Sequence, residues 1–224
     1  MILTGSKRSP KLGEDFMPVS FSRTGEFASA PVVFSGYGMK VPASDKQAAY
    51  DSYLGVDVNA KWVLVFRDLP EDVPSDRRQY LSLFSRVQHK ATVARNLGAL
   101  GLLVIQPSTK ALATVKFEGA LSDSSLAVIN VSVAMAADLL GVSIEKIEAM
   151  KKELDSGMTK DASEVQGVQL SAQVDLKVEK AKGHNVVALL KVPGAKQTVM
   201  VGAHGDHLGI GEIGSSLARG DESH

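Results

Sequence analysis

The sequence predicts an α/β protein. Trp62 to Phe66 (WVLVF), the passage GALGLLVIQ that begins at Gly98, and Leu126 to Val131 (LAVINV) are continuous apolar runs of strand length. Such runs read as strands covered on both faces. Between the first two lies an amphipathic pattern of helical period, and two capped helical patterns follow the third. Alternation of this kind is what places a chain in the α/β class.

Taken in order, residues 1–29 are polar and punctuated by Gly, Ser and Pro, with short apolar pieces around Phe16 to Phe21. They read as an extended arm with at most one or two strands. Pro31 to Gly38 (PVVFSGYG) is compact and β-rich, closed by Gly36 and Gly38, and reads as the first core strand. Gly55, Asn59 and Ala60 mark turns ahead of the strand Trp62 to Phe66. The Pro- and acid-rich LPEDVPSD then breaks the chain.

A helix is expected from about Arg77 to Leu97, because Tyr80, Leu81, Phe84, Val87, Ala91 and Ala94 recur at helical spacing. Gly98 stands where a C-terminal cap belongs, and Gly98 and Gly101 permit close approach of helix end and sheet. Within that helix His89 and Lys90 read as a solvated edge and a Lys whose stem covers apolar surface. After the strand at Leu126 to Val131, Ser132 is positioned to cap a short helix ended by Gly141. Ser143 caps a second, IEKIEAMKKELDSG, ended by Gly157.

Met158 to Gly167 is polar and reads as a linker, so the chain is expected to divide there. Val168 to Val178 alternates strictly, which implies one wet and one buried face. Asn185 to Leu190 and Thr198 to Ala203 read as more deeply buried strands joined by a turn at PGAKQ, with His184 a turn residue before the first.

Composition removes whole classes of function. Lys plus Arg and Asp plus Glu are 25 each and aromatic residues only 5%, so neither nucleic acid nor an anionic membrane is an expected partner. With no cysteine, metal ligation falls to His, Asp and Glu. No run is long enough for a transmembrane helix, and the first residues lack a signal-peptide apolar core. No phosphate cradle or nucleophile elbow is present.

The chemistry concentrates in TVMVGAHGDHLGIG, Thr198 to Gly211, where a strand pattern runs into a glycine-flanked turn carrying His204, Asp206 and His207. Imidazole nitrogen binds zinc at about 2.0 to 2.1 Å and is usually oriented by an acceptor on its other nitrogen. A His-X-Asp pair supplies both groups. The same residues also suit a surface turn whose histidines bond backbone. Glu212, Asp221, Glu222 and His224 follow, either as ligands closing a mononuclear site or as a solvated terminal loop.

VMVGAHGDHLGIG resembles the first metal-binding motif of the zinc aminopeptidases of metallopeptidase family twenty-eight. HNVVALLKVPGAKQ resembles the paired strands that open the same peptidase domain. The block from about Ala30 to Gly167 resembles a protease-associated (PA) domain, carried by VVFSGYG, GVDVNAKWVLVFR, KATVARNLGALGLLVI and LAVINVS.

The resemblance implies a PA domain, a barrel- or sandwich-like sheet flanked by helices, inserted in the first strands of an α/β zinc-peptidase domain. Residues 1–29 would be an arm packing with the peptidase part, 30–167 the PA domain, and 168–224 the first segment of the peptidase domain. His204 would ligate zinc and Asp206 would be the catalytic carboxylate that orients it; His207 takes no ligand role. Such enzymes hold two zinc ions and draw a bridging Asp, further ligands and a general-base Glu from beyond this motif.

By the same resemblance the parent protein would be secreted or periplasmic and would remove N-terminal residues from peptides, with the PA domain at the active-site entrance. Its partners would be the peptide substrate and the remaining catalytic domain. The chain alone would be inactive and bind zinc weakly or not at all. Two alternatives stand beside this: a non-catalytic PA-type interaction module with a vestigial peptidase segment, and a self-contained metalloprotein closed by Glu212 or His224.

Overall fold

A computed structural model describes residues 2–4, 9–107, 112, 125–159, 162–177, 186–191 and 193–203. The chain forms two units, Met1–Val178 and Glu179–His224. The first is a mixed α/β structure with strands β1 (Ile2–Thr4), β2 (Phe16–Pro18), β3 (Gly25–Phe34), β4 (Lys40–Val41), β5 (Tyr50–Asp51) and β6 (Trp62–Phe66), then helices α1 (Ser75–Ser82) and α2 (Val87–Asn96). Strands β7 (Gly101–Ile105) and β8 (Ala127–Val131), helices α3 (Val133–Leu140) and α4 (Ile144–Asp155), and strand β9 (Ser163–Val174) complete it.

Seven strands make one sheet in the order β1-β9-β3-β6-β7-β8-β2, and β4 pairs with β5 in a separate two-stranded sheet. β3, β6, β7 and β8 are parallel, with Val32 opposite Trp62, Trp62 opposite Gly101 and Gly101 opposite Ala127. The flanking pairs are antiparallel. Residues of the amino-terminal arm therefore reach both ends of the sheet, β1 against β9 and β2 against β8. That covers strand edges that would otherwise present unpaired amides and carbonyls.

The apolar runs behave as continuous hydrophobicity requires, since every residue of β6, β7 and β8 is buried. Side chains leave a strand to alternate faces. Trp62, Leu64 and Phe66 join a core with Leu139, Ile147 and Leu154 from α3 and α4. Val63 and Val65 join a second core with Val87, Ala91 and Ala94 of α2. Close approach is needed where α2 returns to the sheet: Gly98 has φ +81° and a Cβ on Gly101 would fall inside the Trp62 ring.

Helix caps follow the sequence expectation. The Ser132 hydroxyl accepts from the Met135 amide at 3.1 Å, Gly141 adopts φ 64° after Leu140, and the Ser143 hydroxyl accepts from the Lys146 amide. The single helix expected from Arg77 to Leu97 is instead two. Ser82 Oγ donates to the Gln79 carbonyl at 2.7 Å and Ser85 Oγ to the Ser82 carbonyl at 3.0 Å, so side chains take carbonyls of the last turn. Arg86 is then extended, with ψ 139°, and α2 restarts behind it.

β9 alternates as its pattern implies, with Leu170, Ala172 and Val174 buried and Gln169 and Gln173 exposed. It begins at Ser163 and so runs through the polar stretch read as a linker. Its long pairing with β3, from Gly25 opposite Val174 to Phe34 opposite Ser163, satisfies that backbone despite polar side chains.

The second unit departs from expectation. Residues 186–190 and 198–203 are not strands, and Val186, Val187, Leu190, Val199, Met200 and Val201 are 87 to 96% exposed. A fully apolar strand needs ladder partners and cover on both faces, and among the described residues these runs have neither. The turn at Pro193 and Gly194 is present, with Gly194 at φ 79°.

Candidate functional site

The carboxyl ends of the four parallel strands lie along one edge of the sheet, where β6, β7 and β8 give way to Arg67, Gln106 and Ser132. Ligands favour this edge in open α/β sheets because the ladder stops and backbone groups become available. Part of the ladder continues past the strands. Arg67 N donates to Ile105 O at 3.2 Å and Gln106 N to Val131 O at 2.9 Å.

Other carbonyls at this edge are taken by Lys90. Its Nζ donates to the carbonyls of Phe66 at 2.8 Å, Arg67 at 2.8 Å and Asp68 at 2.6 Å. The side chain is fully buried. Burial pulls its pKa down to about 7, with Asp68 opposing that shift and Arg67 adding to it. The three carbonyls favour the ammonium, which offers three N–H bonds where the neutral amine offers two.

This corrects the reading of Lys90 as a solvated or snorkelling residue. Val87, Lys90, Ala91 and Ala94 are the buried residues of α2, so the lysine stands on the apolar stripe itself. A charge on the buried face of a helix calls for a partner. The backbone of the strand end provides it. His89, next to it, sits edge-on to Phe84 at 5.4 Å, and its Nε2 is buried with no hydrogen-bond partner among the described residues.

A second network holds the same loop further along. The Tyr37 hydroxyl donates to Asp155 Oδ1, which also accepts from the Glu71 amide at 3.3 Å. Lys151 Nζ lies 3.0 Å from Asp155 Oδ2 and 3.5 Å from Glu71 Oε1. Burial, then the hydrogen bond and charge of Asp155, push the Tyr37 ionisation far up. Burial opposes the Lys151 charge, but the bond to Asp155 and the charges of Asp155, Glu71 and Asp68 outweigh it and raise its pKa. Residues 66–72 are thus pinned by Lys90 at one end and Asp155 at the other.

Beside this loop is a half-open pocket of about 120 Å³. Phe66, Ile105, Pro107, Val133 and Ile147 supply apolar walls, and Arg67, Asp68, Gln106, Glu148 and Lys151 supply polar ones. Gln106 is buried and its Nε2 donates to Asn130 Oδ1 at 2.7 Å, which fixes its orientation. The sequence pattern did not single out these residues, because they come from four separate elements that only the sheet brings together.

His204, Asp206 and His207 lie outside the described residues, as do His184, Glu212, Asp221, Glu222 and His224. Among the described residues no three His, Asp or Glu side chains gather as a metal site would require. No described helix is long and apolar enough to cross a membrane.

No family model and no curated protein matches the chain. Among solved structures it is similar to an aminopeptidase from Aneurinibacillus sp. strain AM-1, with 16% identity and a TM-score of 0.38 over 76% of this chain and 32% of that one. The chain thus spans about a third of that protein's length.

Proposed function

We propose that the chain is the amino-terminal part of a zinc aminopeptidase, with a PA domain ahead of the first strands of the catalytic domain. The observation that carries this reading is the pair of exposed apolar runs, Val186 to Leu190 and Val199 to Val201, that lead directly into His204-Gly205-Asp206. Burying one such side chain is worth about 1.5–3 kcal/mol. Two consecutive runs left in water therefore call for cover, and the remaining strands and helices of a peptidase domain would supply it.

Imidazole and carboxylate are a donor set that suits zinc. In this reading His204 would hold zinc and Asp206 would be the carboxylate that orients its imidazole. The chemistry that zinc would supply when bound is activation of a water and polarisation of a carbonyl. In this reading the ligands and general base that complete such a site would come from residues outside 1–224, and the PA domain, about residues 30–167, would regulate substrate access. The intact enzyme is exported and acts on peptide N-termini.

The test is hydrolysis of aminoacyl-anilides by the product of the whole reading frame and by the 224-residue chain. The long product should be active, lose activity to chelator and lose it in Asp206→Asn, while the short chain is inactive. A whole product with no chelator-sensitive hydrolysis would instead support a non-catalytic interaction module.

A further inference from the structure

The pocket at the carboxyl ends of β6, β7 and β8 has a charge pattern that its own side chains leave unmatched. Arg67 and Glu148 both line it, yet no ion pair joins them and neither pairs with another described residue. Opposite charges on the rim of one apolar pocket that do not pair with each other leave room for a molecule carrying both signs. Lys151 adds positive potential, already anchored by Asp155 and Glu71, and Asp68 adds a second carboxylate. The polar rim is therefore balanced, two cations against two carboxylates.

The walls set the rest of the ligand. Phe66, Ile105, Pro107, Val133 and Ile147 supply the apolar walls of this half-open pocket of about 120 Å³, somewhat smaller than the roughly 150 Å³ apolar cavity that accepts benzene. An aliphatic side chain of four carbons suits this size, whereas a nucleotide or a sugar does not. We propose that this pocket binds a free apolar α-amino acid as its zwitterion. The side chain enters the apolar walls, Arg67 takes the carboxylate in a forked pair of hydrogen bonds, and Glu148 with Asp68 takes the ammonium.

The site is held ready before the ligand arrives. Lys90 bonds the carbonyls of Phe66, Arg67 and Asp68, all three of which line the pocket, and Asp155 holds both Lys151 and the Glu71 amide. Fixing the loop in advance lowers the entropy that binding must overcome. A fatty acid would gain nothing from Glu148, and an amine nothing from Arg67. The proposal does not rest on the zinc-peptidase reading and can stand or fall without it.

Titration of the 224-residue chain with L-leucine, followed by calorimetry and by backbone amide shifts, tests it. Saturable binding that moves the amides of Arg67, Gln106 and Glu148 is the expected result. Leucinamide lacks the carboxylate and 4-methylpentanoate lacks the ammonium, so each should bind about tenfold more weakly or worse. Arg67→Gln and Glu148→Gln should each weaken leucine by a similar factor while retaining the wild-type circular dichroism. Absence of saturable binding, equal affinity for the three compounds, or unchanged affinity in both variants would overturn it.

Discussion

Lys90 Nζ donates to the Phe66 carbonyl at 2.8 Å, tying the buried face of α2 to the carboxyl end of β6. The same ammonium holds the next two carbonyls, so one side chain fixes the path of the chain as it leaves the sheet. Lys90→Met keeps the apolar stem but leaves three carbonyls without this donor. An unsatisfied buried acceptor costs about 1–3 kcal/mol. Part of that is offset by removing a desolvated charge, so the expected net loss at pH 7 is about 2 kcal/mol. Urea unfolding of the two proteins checks it.

The Lys90 pKa also gives stability a defined pH dependence. Its ordinary value is about 10.4, and in the fold it is lowered to about 7. Between these values the unfolded chain holds a proton that the folded chain does not, so this contribution rises with pH and is flat below about 7. Wild type minus Lys90→Met should therefore gain on the order of 2 kcal/mol from pH 7.5 to 9. Urea midpoints at the two pH values measure the difference.

Tyr37, Tyr50 and Tyr53 all resist ionisation, chiefly through burial, and Tyr50 is pushed up to about 12. A raised folded pKa means stability that is complete below the ordinary value of about 10 and lost as pH rises through the folded one. In Tyr80→Phe, tyrosinate absorbance should stay low to about pH 11 and then appear together with unfolding. Far-ultraviolet circular dichroism on the same samples shows whether the two coincide.

Gly101 begins β7 directly against the Trp62 ring, where an added Cβ would overlap the indole. Trp62 is fully buried. Gly101→Ala should cost about 1–3 kcal/mol by overpacking. Gly141→Ala is a useful comparison, since nothing lies within 4 Å of its Cβ position and only its φ of +64° is unfavourable.

Much of the compact unit was legible because its determinants are local. WVLVF became β6 at the expected residues, and Ser132 and Ser143 cap the helices their positions suggested. The break between α1 and α2 escaped the periodicity because the apolar spacing continues across Leu83 to Arg86, while the serine hydroxyls redirect the backbone. Lys90 shows the opposite case. It stands at helical spacing from Val87 and Ala94, yet a lysine there reads as snorkelling because the carbonyls that receive it lie on another element. The pocket was invisible for the same reason. Runs 185–190 and 198–203 read as buried strands from their own composition, yet burial depends on surfaces they do not themselves contain.

The proposed function makes His204 a zinc ligand that acts with residues outside 1–224. Zinc content of the purified whole reading-frame product, measured by plasma mass spectrometry against His204→Ala, tests it most directly. The account predicts about two zinc ions per polypeptide, as a dinuclear site requires, with a clear drop in the variant and loss of aminoacyl-anilide hydrolysis. Zinc absent from the wild-type protein, or equal zinc in the two, would contradict it.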